Sequence, residues 1–238
     1  MTGGSGGGGG PPRGRPFPRE VLAGDTRLAA RALIGARLVR DAPDGAPDGA
    51  PRIGRIVEVE AYLGEADRAS HARMGPTPRN RVMFGPPGLA YVYLVYGMHH
   101  CLNVVTEPTS RAAAVLIRAV EPLSGAARMR QARERGRRAR VRVPDHRLAA
   151  GPGLVAAAFE LDRSHTGLDL CDPASPVRLE APPAGEPAPE VATTPRIGIA
   201  YAGEPWTVVP WRFIDSASRS LSRPGVARAG TSRSRTRG

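Results

Sequence analysis

Residues 52–63 (RIGRIVEVEAYL) alternate apolar and polar side chains with a two-residue period, the pattern of a half-buried strand. Val57, Val59 and Ala61 fall on one face; Glu58, Glu60 and Tyr62 fall on the other. Three further strand-like runs follow at 90–95 (AYVYLV), 99–106 (HHCLNVVT) and 113–120 (AAVLIRAV). The first two are joined by Tyr96-Gly97-Met98, a tight hairpin candidate. Helical spacing predicts a helix over 25–34, with Asp25 as N-cap and Gly35 as stop. Further helices are expected at 123–142 and, after Gly151-Pro152-Gly153, at 153–161. A short strand is expected at 36–40, and two more, 196–201 and 207–214, are expected to close the domain.

Between these elements, 42–51 (an APDG repeat) and the Pro-rich 181–195 read as loops. Residues 64–89 lack periodicity and read as a long ordered loop, a length usually reserved for function. Strands mixed with a few helices, without repeated βαβ units, predict an α+β fold: one domain over 19–215 with a curved, mostly antiparallel sheet flanked by helices. The Gly/Pro-rich head, 1–18, and the Ser/Arg-rich tail, 216–238, are expected to be disordered.

Several residues on this frame could carry chemistry. Glu58 and Glu60 share a strand face. That is either a solvated face or the seat of a tuned general base, and Tyr62 beside them offers the aromatic surface a base-handling pocket needs. Arg118 sits between Ile117 and Ala119 in an apolar strand. It either faces solvent or pairs with a carboxylate or phosphate, with Glu60 a candidate. Tyr91 and Tyr93 share a face and could be ordinary core residues. Tyr96 and Met98, at a turn tip, could instead enter a base stack. His99, His100 and Cys101 are consecutive and cannot converge on one metal from a strand, so metal-free chemistry without a cofactor is expected.

Composition narrows this further. The 238 residues carry a formal net charge of +12, which suits a polyanionic partner. The arginine run at 128–142 either tracks phosphates or is a solvated face. There is no lysine, so Schiff-base chemistry through a lysine amine and a P-loop are excluded. The two cysteines, Cys101 and Cys171, do not make a disulfide scaffold. No signal-peptide core or membrane-length apolar run is visible, and a cytoplasmic, nucleoid-associated monomer is expected.

The stretches RIVEVEAYLGEADRASHARMGPTPRNRVMFGPPG, YVYLVYGMHHCLNVV, AVLIRAVEP and RIGIAYAGE, in that order, resemble the alkyladenine (3-methyladenine) DNA glycosylase family of the mammalian type. The resemblance covers roughly 18–214. It implies a monofunctional glycosylase of base excision repair that flips damaged purines from double-stranded DNA and hydrolyses their N-glycosidic bond. By resemblance, Glu60 activates the attacking water, Arg118 helps to hold it, and the backbone of Ile197 is its third contact. Tyr62, His71, Tyr93, Asn103 and Leu116 match the base pocket, Asn103 disfavouring guanine. Tyr96 matches the intercalating residue, with Met98 beside it. Segment 106–112 (TEPTSRA), His99 and His100 depart from the family pattern. The competing readings are a non-catalytic nucleic-acid-binding protein, a hydrolase of free nucleosides and an RNA-binding module. The Glu60–Arg118 pair separates catalysis from mere binding.

Overall fold

The computed structural model describes residues 14–43, 49–135 and 142–223. The head up to residue 13, part of the APDG loop, the arginine run at 136–141 and the tail from 224 lie outside the described residues.

Two helices, α1 (Arg19–Leu22) and α2 (Thr26–Leu33), precede strand β1 (Arg37–Arg40). The Asp25 side chain caps α2 as expected, accepting from the backbone N–H groups of Arg27 and Leu28 and so satisfying donors that a helix start leaves open. Then come β2 (Arg52–Tyr62), β3 (Ala90–Val95), β4 (His99–Thr106) and β5 (Ala113–Ser124). Helices α3 (Ala126–Glu134) and α4 (Pro152–Ala158) follow, then β6 (Val177–Glu180), β7 (Val191–Thr194) and β8 (Arg212–Asp215).

The strands form one eight-stranded sheet in the order β3-β4-β5-β2-β1-β6, with β8 also paired to β2 and β7 to β8. Every pairing is antiparallel, so the fold is α+β, as the order of elements implied. β2 is its spine. Its first half pairs with β1, its Glu58–Glu60 stretch pairs with β8, and its other edge runs along β5. The main core lies on one side of the sheet, where Ile56, Val59, Ala61, Val115 and Ile117 pack with Leu33, Leu38, Val155 and Phe159.

The expected alternation fails midway along β2, apart from a register shift at Ile53–Gly54 that skips Leu123. Against β5, Ile56 pairs with Val120, Glu58 with Ala119 and Val59 with Ile117. Val57 is thus an extra residue on one strand and Arg118 an extra residue on the other, a pair of compensating bulges. Val57 leaves the face of Val59 and Ala61 and packs with Ala119, Ile214 and Leu221 on the far side of the sheet.

Other boundaries also moved. Leu123 and Ser124 belong to β5, and α3 starts only after Gly125, whose φ of +73° breaks the strand. The strand expected at 196–201 is a turn leading into a short 3-10 helix, Ala200–Ala202. The physical reason is that the Ile197 N–H is spent on a carboxylate rather than a ladder, and Gly198 (φ +79°) turns the chain. The expected 207–214 strand shrinks to β8. Its partner β7 lies inside the segment read as loop, and β6, whose VRLE alternates over only four residues, was not expected as a strand.

Both expected domain edges were drawn too tight. Phe17 is buried and its N–H reaches the Leu179 carbonyl. Ser220 and Leu221 are buried as well, so a strap continues past β8.

Residues 64–89 are ordered by their own polar contacts, as expected. Buried Asn80 donates from Nδ2 to the carbonyls of His71 and Gly75 and accepts from both the N–H and the hydroxyl of Thr77. Asp67 makes a two-pronged ion pair with Arg196, at 2.5 and 2.9 Å, with both side chains fully buried. That pair ties the long loop to the 196–199 turn. Within α3, Arg128 donates to the Ala50 carbonyl and Arg133 to those of Arg147 and Leu148. This part of the arginine run staples loops together.

Candidate active site

The site face of the sheet is read across four strands. Tyr91 pairs with Asn103, Asn103 with Leu116, and Leu116 with Glu60, so these four side chains form one row. Tyr62 pairs with Ala114 one step along. Over this face lies an inner cavity of about 40 Å³ lined by Tyr62, His71, Tyr91, Tyr93, Asn103 and Tyr201, among others. It is wide enough for a few waters, each needing ~10–15 Å³. An outer cleft of about 590 Å³ shares Tyr62, His71, Tyr93 and Tyr201 with it and extends past Met74 and Arg79 to Tyr96.

Aromatic rings build the cavity walls. Tyr91 and Tyr93 stack with centroids 5.3 Å apart, and His71 stands edge-on to Tyr93 at 4.3 Å. The Arg79 guanidinium lies 5.4 Å over the Tyr93 ring. On the opposite side, Arg196 lies 4.7 Å over the Tyr62 ring and 5.0 Å over Trp211, which stiffens that wall through cation–π contact. Burial, with Arg79 and Arg73 adding to it, pushes the His71 imidazole down to about 4. At neutral pH it is therefore uncharged, with one nitrogen a donor and the other an acceptor. Asn103 is fixed by donating from Nδ2 to the Tyr91 carbonyl at 3.0 Å.

Glu60 sits at the foot of the Tyr62 wall, fully buried. Its Oε1 accepts from the Ile197 N–H at 2.7 Å; its Oε2 accepts from the Tyr62 hydroxyl at 2.9 Å and from Arg118 Nη1 at 3.2 Å. Burial raises its pKa above the usual carboxylate range. Arg118, the Ile197 N–H and the Tyr62 hydroxyl pull it back only in part, and nearby Glu58 adds to the rise. Tyr62 in turn is held far above an ordinary phenol by burial and by Glu60, so it stays a donor. Arg118 spans both carboxylates, with Nε 2.8 Å from Glu58.

Tyr62, His71, Tyr93 and Asn103 line the inner cavity, while Glu60, Arg118 and the Ile197 N–H form a hydrogen-bonded cluster joined to that cavity through the Tyr62 hydroxyl. Leu116 is buried in the row between Asn103 and Glu60, while Ala114 is its neighbour that reaches the inner cavity. Tyr96 and Met98 stand apart at the hairpin tip, 86% and 70% exposed. Tyr96 and Gly97 both have positive φ, and Met98 N–H bonds back to the Val95 carbonyl, the geometry that tight hairpins favour. Five contributors were not singled out from sequence: Tyr201, Met83, Arg196 and the Glu58 partners Arg212 and Ser222. Arg196 adjoins Ile197 in the RIGIA motif, and that adjacency was the available clue. Ser222 lies in a Ser/Arg-rich tail with no distinguishing signal.

A buried carboxylate sharing an edge with an aromatic cavity is what a hydrolase working on an extruded planar base requires. Relatives narrow the class. The methylpurine-DNA glycosylase (MPG) family profile matches residues 20–219. A protein of Methanocella arvoryzae is 44% identical over 208 residues, covering 87% of this chain and 96% of its own. One of Myxococcus xanthus is 43% identical over 209 residues, covering 87% and 93%. One of Anaeromyxobacter dehalogenans is 46% identical over 209 residues, covering 87% of each. All three carry names that assign them provisionally to the 3-methyladenine DNA glycosylases. The chain belongs to the methylpurine-DNA glycosylase family. It is a DNA glycosylase, a DNA-binding hydrolase of N-glycosyl bonds in DNA repair.

Proposed function

We propose that this glycosylase is monofunctional and acts as a monomer on duplex DNA. It extrudes alkylated or deaminated purine nucleotides and hydrolyses the N-glycosidic bond with a water activated by Glu60. The observation that carries the reading is that Glu60 hydrogen-bonds Tyr62, which is itself a wall of the cavity.

A base inside the stack is out of reach, so the nucleotide must leave the duplex at a cost of about a few kcal/mol. Tyr96, exposed on the hairpin, fills the gap left behind. The base passes through the outer cleft and parts the walls of the inner cavity, which as it stands has room only for water. Tyr201, 63% exposed on the cavity rim, is the side that yields. Stacking on the rings contributes on the order of 1–3 kcal/mol per base, and more for a cationic alkylated purine, which the ring faces attract.

A carboxylate has about four acceptor positions. Three on Glu60 are taken, and the open one on Oε1 receives the water. The water oxygen bonds to the anomeric carbon, its proton passes to Glu60, and the purine departs with the electrons of the broken C–N bond. The sugar develops positive charge as that bond stretches, and the Glu60 anion stabilises it. Arg118 and the Ile197 backbone hold the water and carboxylate in register. Asn103 excludes guanine by a clash with its 2-amino group.

The decisive experiment is base release from duplexes carrying one defined lesion each: 3-methyladenine, 7-methylguanine, hypoxanthine or an etheno adduct. The expected result is release by the wild-type chain and release slowed by about 10²–10⁴-fold in Glu60→Gln. Release of bases only from free nucleosides, or from neither, overturns the reading.

A further inference from the structure

Behind the cavity, on the side of Arg118 away from Tyr62, lies a second carboxylate that the reaction just described does not use. Glu58 is fully buried. Its Oε1 accepts from Arg118 Nε and Arg212 Nε, both at 2.8 Å, and from the Ser222 hydroxyl at 2.7 Å; its Oε2 accepts from the Ser222 N–H at 2.6 Å. Burial disfavours its anion, but Arg212, Arg118 and Ser222 more than offset this, and its pKa lies below the ordinary value. It is held as an anion that already accepts four hydrogen bonds, three of them on Oε1, and Arg118 bridges it to Glu60.

Its effect falls on Arg118. The three outward nitrogens of that guanidinium each have one partner: Nε on Glu58, Nη1 on Glu60 and Nη2 on the Ser222 hydroxyl at 3.3 Å. A guanidinium left to itself grips a single carboxylate with two parallel bonds. Here Glu58 takes the shorter contact, 2.8 Å, and Glu60 receives one longer one, 3.2 Å.

The clamp is supplied from the chain end. Leu221 packs with Val57, Ala119 and Ile214, the Arg147 guanidinium holds the Leu221 carbonyl, and Arg212 reaches the Arg223 carbonyl. Residues 220–223 lie beyond the stretch that the family profile covers.

We propose that Glu58, clamped by Ser222 and Arg212, is a positioning residue for the glycosylase reaction: it holds Arg118 in a one-bond pose against Glu60, making the carboxy-terminal strap part of the working site. The inference rests on Glu60 being the general base. A full two-bond grip by Arg118 would over-stabilise the Glu60 anion and weaken it as a base, and would turn the guanidinium away from the water. The groups that set the charge at Glu60 are Arg118 from β5, Glu58 and Tyr62 from β2, and the Ile197 N–H. Behind them stand Arg212 from β8, Cys101 from β4, Tyr93 from β3 and Arg196 against the Tyr62 ring.

The test is the pH dependence of single-turnover release of 7-methylguanine, whose cationic ring leaves without being protonated, from a duplex by the full chain. Glu58→Gln removes a like charge from Glu60 and frees Arg118 to grip it, and both changes favour the Glu60 anion. The expected result is a rate lower by on the order of 100-fold, unchanged duplex binding, and an acid limb moved to lower pH by about one unit. Ser222→Ala shifts the limb in the same direction by less, and Ser222→Thr restores it. If Glu58→Gln fails to fold, the Ser222 pair decides alone. A wild-type acid limb in Glu58→Gln or Ser222→Ala, with or without a loss of rate, overturns the proposal. A wild-type rate in Glu60→Gln would instead remove the general base and this inference with it. A slowed Glu60→Gln beside a wild-type Glu58→Gln would remove the inference alone.

Discussion

Glu60 gives up hydration for three hydrogen bonds, and burial still leaves its pKa above the ordinary carboxylate value. A raised pKa makes a better base, and it also sets a sign for stability. The folded state binds the Glu60 proton more tightly than the unfolded state does. The stability this contributes is complete below the unfolded pKa and is lost as pH rises through the folded one. At neutral pH the Glu60 charge therefore contributes no stability of its own, and any fall in the melting temperature of Glu60→Gln reports the donor left facing the new amide NH2. Its single-turnover rate should fall by about 10²–10⁴-fold while binding to damaged duplex persists. The rate of the wild-type enzyme should fall as pH drops through the raised Glu60 pKa, placing the acid limb above the normal glutamate range. A limb at the ordinary carboxylate pKa would contradict the burial argument. His71, held to about 4, should stay neutral through the working range, and a ring-proton titration by NMR would check it.

At the scale of elements, two devices hold the reaction geometry. The β3–β4 hairpin thrusts Tyr96 outward on a backbone with φ of +52°, at the outer end of the cleft and largely exposed. Tyr96→Ser should therefore leave thermal stability unchanged and weaken binding to a lesion duplex more than it slows release of a base already extruded. Equal affinities of variant and wild type for the lesion duplex would remove the wedge role. The second device is the Asp67–Arg196 pair, which fastens the 64–89 loop to the turn that presents the Ile197 N–H. Asp67→Ala strands a buried guanidinium, and breaking such a pair costs about 3–5 kcal/mol. A clear fall in the urea midpoint is expected, along with loss of activity as the turn releases Glu60. A variant unfolding at the wild-type midpoint would show that the loop is held otherwise.

The molecule as a whole combines strong positive charge with a complete lack of lysine. A lysine amine cannot attack the sugar, so the product should be an intact abasic strand. Incubation with lesion duplex and borohydride should trap no covalent protein–DNA complex on gels, and a trapped band would overturn monofunctionality. The positive charge should make duplex affinity fall steeply with salt. Part of the arginine content is nevertheless committed inward: Arg118, Arg178, Arg196 and Arg212 are all buried in ion pairs, so the arginine count, unlike the net charge, overstates what is available to phosphates.

The chain's own pattern determined a good deal. The strands at 52–62, 90–95 and 99–106 and the Asp25-capped helix are local: side-chain alternation, turn residues and a cap suffice to specify them. The family motif carried Glu60, Arg118 and the aromatic residues to their places in the sequence. The tertiary structure decided the rest. Four-residue strands such as β6 and β7 form because a neighbour offers an open edge; VRLE alternates, but over too few residues to mark a strand, and VATT does not alternate. A bulge inserts one residue and leaves no mark in composition. The two at Val57 and Arg118 show only in the pairing of β2 with β5, where they turn Val57 away from the face of Val59 and Ala61. Ser222 reaches Glu58 across 164 positions of chain, a contact that only the folded sheet, with β8 laid beside β2, can make.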